Sequence, residues 1–402
     1  MTRFGRTGAT IAAFILMASL LAGCWNRREL NSLGIALGFG IDKFGDQYRI
    51  SAQVVDPGEV ASSRPTTPGR SPVVLYKAEA PTVFEALRRL TEICPRKLYA
   101  AHIRVLILGE ALAREGVGKV LDLLLRDPGI RSDFYMLVAK DTTAEKVLQI
   151  LTPLDKIPSY KMFDMLEASA KAWAPTTTFT LDEFVNQLVS EGLNPVLTGI
   201  QVAGAQEEGE SMRNVSRIEA RADLRTAGLA VFRKDKLIGW FDEKESIGYN
   251  LLKDKVKSTV SRISCPNGGY IVLETIRSKT DVKGRVSNGR PTIDVKLKTE
   301  VNIGEVECDL PITVPKNIRW IENKLKQRRI EMMQAAVEQA KANKTDSFGF
   351  GQAISRSHPK YWKSISKSWA EEFGRLPVNY KIEVMVRKVG TTLNTFLKEI
   401  KE

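Results

Sequence analysis

The amino-acid sequence predicts a multi-domain α+β protein with mixed sheets, packed helices and one long amphipathic helix in the C-terminal half. Its 402 residues exceed what one hydrophobic core usually organises, and 43% hydrophobic residues is ordinary for a globular chain. Strand-like and helical patterns alternate in the first half, whereas the second half is rich in hairpins. We therefore expect a signal peptide at 1–23, one or more N-terminal α+β domains at 24–205, a linker at 206–214 and a C-terminal α+β domain at 215–402.

The first 24 residues have the pattern of a lipoprotein signal peptide. Arg3 and Arg6 form a basic segment, an uncharged apolar run covers 11–21, and Leu-Ala-Gly-Cys follows at 21–24. Cleavage before Cys24 would place its thiol at the new N-terminus, where a thioether-linked diacylglycerol and a further acyl chain give stable anchoring. Cys24 is therefore the predicted lipidation residue and its partner is membrane lipid.

An uncleaved membrane anchor is the alternative for the same segment. The stretch from Thr7 to Asn26 carries no charge for 20 residues, which is close to the roughly 20 residues that span a bilayer as a helix. Several of these residues are Gly, Thr and Ala, which weakens this alternative. Either interpretation exports the rest of the chain.

The N-terminal half begins with a β-hairpin and continues as alternating strands and helices. Two helices are predicted to start at threonine N-caps, because apolar residues at helical spacing follow them. The caps are Thr82 for the first helix and either Thr142 or Thr143 for the second. The Pro-, Gly-, Ser- and Thr-rich segment at 56–72 predicts an exposed loop. We predict strands at 33–41, 47–55, 73–78, 102–108, 134–139 and 196–202, and helices at 109–126, 143–151, 160–173 and 181–191. A further helix is predicted to start at the Thr82 cap and to include Val83, Leu87 and Leu90.

The C-terminal half begins with a hairpin around Lys234-Asp235, and Asn288-Gly289 gives the strongest hairpin signal of the chain. Apolar residues at helical spacing from Pro315 to Lys344 predict the long amphipathic helix. We predict strands at 227–233, 236–241, 270–279, 281–287, 292–303 and 377–389, and further helices at 242–256 and 352–373.

Positive charge is concentrated in the C-terminal half. Residues 24–205 hold 21 Lys and Arg and 21 Asp and Glu, whereas 206–402 hold 37 and 26, a net charge of +11. The densest basic group on the long helix is Lys324, Lys326, Arg328 and Arg329, which predicts a surface for lipid headgroups or an acidic partner. A solvated helix face explains the same group equally well. Nucleic acid is not expected as a partner of an exported protein.

Three cysteines remain once Cys24 is lipidated. Cys94 lies on the apolar face of a predicted helix and is most simply a buried thiol. Cys265 and Cys308 can form a disulfide in an oxidising location, or they can be separate core residues, and their spacing does not decide between these alternatives.

The sequence contains no pattern of catalytic or metal-binding residues that we can assign. The only histidines are His102, in a predicted strand, and His358, beside a proline. Asp242, Glu243 and Glu245 occupy a helix start, where carboxylates are favoured by the helix dipole. The Gly349-Phe350-Gly351 segment is too short for a phosphate loop and is expected to form a turn between helices with aromatic packing. We predict no enzymatic activity, cofactor or metal.

Several segments, in order along the chain, match the pattern of one known family. The segments are Leu-Ala-Gly-Cys-Trp-Asn-Arg-Arg-Glu-Leu at 21–30, Gly-Ile-Ala-Leu-Gly-Phe-Gly-Ile-Asp at 34–42, Gly-Leu-Ala-Val-Phe-Arg-Lys-Asp-Lys-Leu-Ile-Gly-Trp-Phe at 228–241, Glu-Ser-Ile-Gly at 245–248, Asp-Ser-Phe-Gly-Phe-Gly-Gln at 346–352, His-Pro-Lys-Tyr-Trp at 358–362 and Trp369. Together they resemble the C subunits of spore germinant receptors, the Ger(x)C lipoproteins.

This resemblance implies a fold of three α+β domains and a function without catalysis. It implies a lipid-anchored subunit on the outer face of the spore inner membrane, needed for receptor assembly and germination signalling, with integral-membrane A and B subunits as partners. The alternative is a solute-binding lipoprotein that captures a small nutrient itself. Such proteins usually have two comparable α/β lobes, which the unlike halves of this chain do not match.

Overall fold

The computed structural model describes residues 8, 12–14, 32–61 and 70–389. Cys24 and the residues around it, including the uncharged stretch considered as an anchor, lie almost wholly outside this part. So does 62–69, which belongs to the predicted exposed loop. Within the described part, two sheets are present, and helices pack on both. The predicted α+β class with mixed sheets is confirmed.

The larger sheet contains nine described strands and mixes parallel with antiparallel pairs. Its order is β3-β2-β1-β5-β6-β7-β8-β9, and β4 pairs with β1. The central β1, β5, β6 and β7 run parallel, and hairpins add the strands at both edges. The strands are β1 Leu33–Phe44, β2 Gln47–Val55, β3 Val73–Ala80, β4 Lys97–Tyr99, β5 Val105–Gly109, β6 Tyr135–Ala139, β7 Val196–Gly204, β8 Ala222–Arg233 and β9 Lys236–Phe241.

The helices of this half begin where the sequence provides caps. The Thr82 hydroxyl accepts a hydrogen bond from the Glu85 amide, and the Thr143 hydroxyl accepts one from the Lys146 amide. The helices are α1 Pro57–Ala61, α2 Val83–Ile93, α3 Glu110–Glu115, α4 Gly118–Arg126, α5 Ala144–Gln149, α6 Pro158–Ala172, α7 Leu181–Val189 and α8 Gln206–Gly209.

The segment expected to be a linker, 206–214, is packed against the large sheet. It contains α8, and the buried Asn214 amide donates hydrogen bonds to the carbonyl oxygens of Leu151 and Ala222. The next two strands, β8 and β9, pair onto β7, so the sheet continues across the expected boundary. The division of the chain at 206–214 stays a prediction about independent folding units.

The smaller sheet has the order β10-β11-β12-β13 and ends on a parallel pair, β12 with β13. Asn288 and Gly289 both have positive φ, 50° and 70°, as a two-residue hairpin turn requires, and the predicted hairpin is confirmed. The two strands expected at 270–287 are one strand with irregular pairing near Thr275. The strands are β10 Thr259–Ser264, β11 Tyr270–Ser287, β12 Arg290–Val306 and β13 Val378–Lys388.

Helices cover one face of this smaller sheet, and the longest is the predicted amphipathic helix. The helices are α9 Glu243–Leu252, α10 Pro315–Ala342, α11 Phe350–Ser357, α12 Pro359–Ile365 and α13 Trp369–Arg375, with a 3₁₀ turn at Ser366–Ser368. Helices α9 and α10 touch through Gly248, where an added Cβ would lie 2.0 Å from the Met332 carbonyl oxygen. Only glycine permits this approach.

Three further local predictions are wrong, and backbone geometry explains two of them. The helix expected at 109–126 is two helices, because Gly116 adopts a φ of 138° between them. The helix expected at 352–373 is broken after Ser357, since Pro359 disfavours a helical conformation at His358. His102 lies in an exposed turn before β5, and not in a strand.

One large apolar cluster links the two halves, since it contains residues of β1, β8, α10, β12 and α13. A smaller cluster lies at the far end of the small sheet. There, Cys265 and Cys308 form a disulfide across 43 positions of sequence, while Cys94 is a buried free thiol. The disulfide joins the end of β10 to the segment that precedes α10.

Candidate functional site

The basic group predicted on α10 is divided between the surface and the core. Lys324, Lys326 and Arg328 are exposed, whereas the Arg329 side chain is fully buried. Residues on α10 at intervals of three or four face inward, and position 329 continues the buried series of Ile321 and Leu325. Arg329 was therefore wrongly assigned to the surface, although the helical period already placed it in the core.

Arg329 is held inside the protein as a cation with few partners. Its Nη2 donates to the Thr275 hydroxyl at 2.8 Å, and its other two nitrogens have no hydrogen-bond partner among the described residues. Burial, together with the neighbouring Arg328 charge, lowers the pKa of Arg329 to about 10. This guanidinium cannot meet an external partner, and it should be left unchanged in any test of the surface.

The exposed basic residues occupy the first half of α10. Besides Lys324, Lys326 and Arg328, the surface here presents Lys316 and Arg319, and no described residue forms an ion pair with these five. Helix N-termini favour negative charge, so this arrangement does not stabilise the helix. We call the exposed group Lys316, Arg319, Lys324, Lys326 and Arg328 the basic face of α10.

The segment that follows α10 is organised by one buried carboxylate. Asp346 is 1% exposed, and its two oxygens accept hydrogen bonds of 2.7 to 3.1 Å. The five donors are the backbone N–H groups of Phe348, Gly349, Phe350 and Gly351 and the indole N–H of Trp369. Asp346 therefore caps the start of α11 and ties α13 to the same point.

Burial of the Asp346 carboxyl group is offset by the hydrogen bonds that it accepts. Burial raises the pKa of Asp346, while the hydrogen bonds from the amides and the indole act to lower it. The Lys253 ammonium donates to the Phe348 carbonyl at 3.2 Å, and Asp346 opposes the drop in pKa that burial imposes on Lys253. All five groups bonded to Asp346 are donors, which is the arrangement that an ionised carboxylate requires.

This capped turn is fastened to the large sheet through the loop between α7 and β7. The backbone N–H of Asn194 donates to the backbone carbonyl of Asp346 at 2.7 Å, and the backbone N–H of Asp346 donates to the side-chain oxygen of Asn194 at 2.9 Å. In the same loop, a Cβ at Gly192 would lie 2.8 Å from Trp362 and 2.9 Å from Gly351. We call this contact between 191–194 and 346–351 the Asp346 junction.

The Asp346 junction accounts for several segments on which the family resemblance was based. Phe348 and Phe350 lie in a chain of ring contacts, with centroids 5.1 Å apart, and Trp362 packs edge-on to Trp369 at 5.2 Å. The predicted turn with aromatic packing is confirmed. The cap by Asp346 was missed, although an aspartate shortly before two glycines and a helix start is a recognisable signal.

The other candidate groups have ordinary structural roles. Asp242 and Glu245 form a capping box at the start of α9, and His358 is the N-cap of α12. Among the residues that the structure describes, no three His, Cys, Asp or Glu side chains are grouped as metal ligands. In the same part of the chain, every helix lacks the length or the apolar character needed to cross a bilayer.

Comparison with known proteins identifies similar chains along nearly the full length. Residues 26–202 match the family model "Spore germination protein N-terminal domain", and residues 227–390 match "Spore germination B3/GerAC like, C-terminal". Spore germination protein KC of Bacillus subtilis is 32% identical over 96% of this chain and 97% of its own, and spore germination protein B3 of that organism is 23% identical over 96% and 99%.

A solved structure shows the same fold. The crystal structure of the GerBC protein superposes on this chain with a TM-score of 0.53 at 19% sequence identity, and the match covers 87% of this chain and 96% of that one. At this identity the similarity establishes the architecture alone.

Replacement of the buried carboxylate tests the Asp346 junction. Asp346→Asn keeps the shape but places an amide N–H₂ against N–H donors, so we expect the free energy of unfolding to fall by about 3 kcal/mol. Chemical denaturation monitored by tryptophan fluorescence measures this. The control Asp281→Asn alters an exposed aspartate paired with Lys283 and should cost less than about 0.5 kcal/mol. Equal losses in the two variants would contradict the assigned role.

Proposed function

The chain belongs to the GerAC family of spore germination proteins, and from this premise we propose that it is the lipid-anchored, non-enzymatic C subunit of a nutrient germinant receptor in the spore inner membrane. The observation that carries the proposal is that both family regions occur in order and together cover 26–202 and 227–390. The subunit holds two integral-membrane subunits, A and B, in an assembled receptor and transmits germinant binding.

The proposed anchor keeps the folded body close to the membrane. Leu33, where β1 begins, lies nine positions after Cys24, and nine steps of a fully extended chain span about 30 Å. A body confined to this distance meets membrane lipid and membrane proteins at high local concentration. Weak contacts by the folded part are then enough to set its orientation.

The basic face of α10 is the part of the surface that best fits such a contact. Its five cations have no ion-pair partners among the described residues, and Glu322 is the single acidic residue among the first 14 residues of the helix. Anionic headgroups or acidic loops of the A and B subunits are the chemistry that this face would bind. The alternative is that these residues are only solvated surface, and charge reversal distinguishes the two explanations.

Assembly with membrane subunits is the first test of the proposal. Affinity purification of the tagged full chain from spore membranes in mild detergent should recover both the A and B subunits in near-equal amounts, measured by quantitative mass spectrometry. Recovery of the chain without either integral-membrane subunit, under conditions that keep A and B bound to each other, would contradict the proposal.

Removal of the acyl acceptor tests the anchor. Cys24→Ala should abolish incorporation of a labelled fatty acid and shift the chain out of the membrane fraction, because Cys24 is the one cysteine placed at the end of the signal sequence. Cys94→Ala is the matched control, since it removes a buried thiol and should leave labelling unchanged. Undiminished label in the Cys24 variant would exclude Cys24 as the lipidation site.

Charge reversal tests the basic face. Lys324→Glu, Lys326→Glu and Arg328→Glu together should lower binding of the 25–402 fragment to anionic vesicles by at least about 100-fold, since each basic residue near such a surface contributes about 1 kcal/mol and each glutamate adds repulsion. Binding of the unaltered fragment should also weaken with salt, because about 0.1 M salt screens charges beyond about 10 Å. Co-sedimentation measures both effects.

The control for this experiment changes the same charge on another exposed helical surface of the same half. Lys360→Glu, Lys363→Glu and Lys367→Glu should weaken vesicle binding less than about threefold, as expected for residues outside the contact. If both triple variants bind equally, or if neither differs from the unaltered fragment, the basic face is only solvated surface.

A further inference from the structure

A polar cleft lies where the large sheet meets the segment between α9 and β10. Its volume is about 540 Å³, within the range of small-molecule sites. One wall is formed by α6, the start of α7 and the threonine-rich segment between them, and the other by 254–257. The lining residues on which the argument depends are Tyr135, Thr177, Glu183, Lys255 and Lys257.

Lys255 reaches into this cleft from a fixed turn. Asp254 adopts a left-handed φ of 57°, and the Lys255 N–H donates to the Asn250 carbonyl at 2.9 Å. Its ammonium donates to the Thr177 hydroxyl at 2.9 Å and lies 3.6 Å from the centre of the Phe179 ring. The cation is thus held in place by contacts that occupy only part of its hydrogen-bonding capacity.

The surface beneath Lys255 is rigidly built. The buried Asn250 amide donates to the carbonyl oxygens of Ala174 and Thr176, and the Thr198 hydroxyl donates to the Thr177 carbonyl at 2.5 Å. These buried hydrogen bonds fix the threonine-rich segment against both α9 and β7. A ligand in the cleft would therefore meet a preformed site.

The acidic groups around the cleft are already engaged. Glu167 pairs with Lys171 at 3.0 Å, and Asp254 pairs with Lys279. Glu183 accepts the Thr180 N–H in a capping box. The lining holds three lysines and three carboxylates and so has no net charge, but Lys255 and Lys257 form no ion pair with a described residue, which leaves the Lys255 ammonium open to an anionic group.

We propose that this cleft binds a small carboxylate-bearing solute, with the solute's carboxylate paired to the Lys255 ammonium and its polar groups facing the Thr177 and Tyr135 hydroxyls. A single point charge beside hydroxyls suits a carboxylate. A phosphate would favour an arginine fork or several convergent backbone N–H groups, and no arginine lines the cleft. This site goes beyond the proposed function and does not rest on it.

Protonation of Lys255 gives the site a characteristic pH dependence. Burial lowers its pKa to about 8; the Glu183 charge opposes this shift, and the Lys253 charge adds to it. The other charged groups around the cleft are Glu167, Lys171, Asp254 and Lys257. A bound carboxylate needs the protonated ammonium, so affinity should be highest below this pKa and fall as pH rises through about 8.

Calorimetry on the full chain in mild detergent tests the proposal, with glycolate, L-lactate and succinate as probes and phosphate and chloride as comparison anions. At least one carboxylate should bind at neutral pH, and its affinity should fall at least tenfold in Lys255→Met. The matched control Lys257→Met removes an exposed lysine of the same cleft and should change affinity less than about twofold.

Four results would overturn the proposal. They are no heat of binding from any probe up to about 50 mM, equal binding of phosphate or chloride, equal losses in Lys255→Met and Lys257→Met, and an affinity of the unaltered chain that does not change between pH about 7 and about 9. The first, second and fourth need no variant, so they decide the matter even if Lys255→Met does not fold.

Discussion

The buried carboxylate of Asp346 is the interaction on which the arrangement of the C-terminal half depends. A charge with almost no solvent exposure is stable only if its surroundings replace water, and here four backbone N–H groups and one indole N–H do so. Those donors belong to the turn before α11, to the first turn of α11 and to α13. The backbone of the same residue accepts a hydrogen bond from the Asn194 N–H and donates one to the Asn194 side-chain oxygen, beside β7. One residue thus sets the turn after α10 and the docking of the last helices through its carboxylate, and their contact with the large sheet through its backbone.

The end of α9 connects this junction to the proposed solute site. Lys253 donates to the Phe348 carbonyl within the Asp346 junction, and Lys255, two residues later, reaches Thr177 in the cleft. The left-handed Asp254 between them lets the two lysines serve these different neighbours. A solute bound to Lys255 would therefore lie close in sequence to Lys253, which contacts the Asp346 junction. In the proposed receptor subunit, a bound solute would thereby be linked to the packing of the helices that follow α10.

The sequence predicted what depends on local chemistry and missed what depends on distant neighbours. The caps by Thr82 and Thr143 and the Asn288-Gly289 turn follow from residues close in the chain, so they were predictable. The break at Gly116 and the burial of Arg329 depend on how helices meet the rest of the core. The burial of Arg329 was still predictable, because its position fits the helical spacing of the residues of α10 that face the core. The cleft around Lys255 could not be predicted, since three separate segments build it and none carries a motif.

Amide hydrogen exchange of the unaltered protein tests the account of Asp346 most directly. The N–H groups of Phe348, Gly349, Phe350 and Gly351 lie at a turn and a helix start, where exchange is normally fast. If the Asp346 carboxylate accepts hydrogen bonds from them inside the protein, they should exchange as slowly as the amides of central strands such as β5. Exchange as fast as that of the exposed Asn288-Gly289 turn would contradict the central place given to this residue.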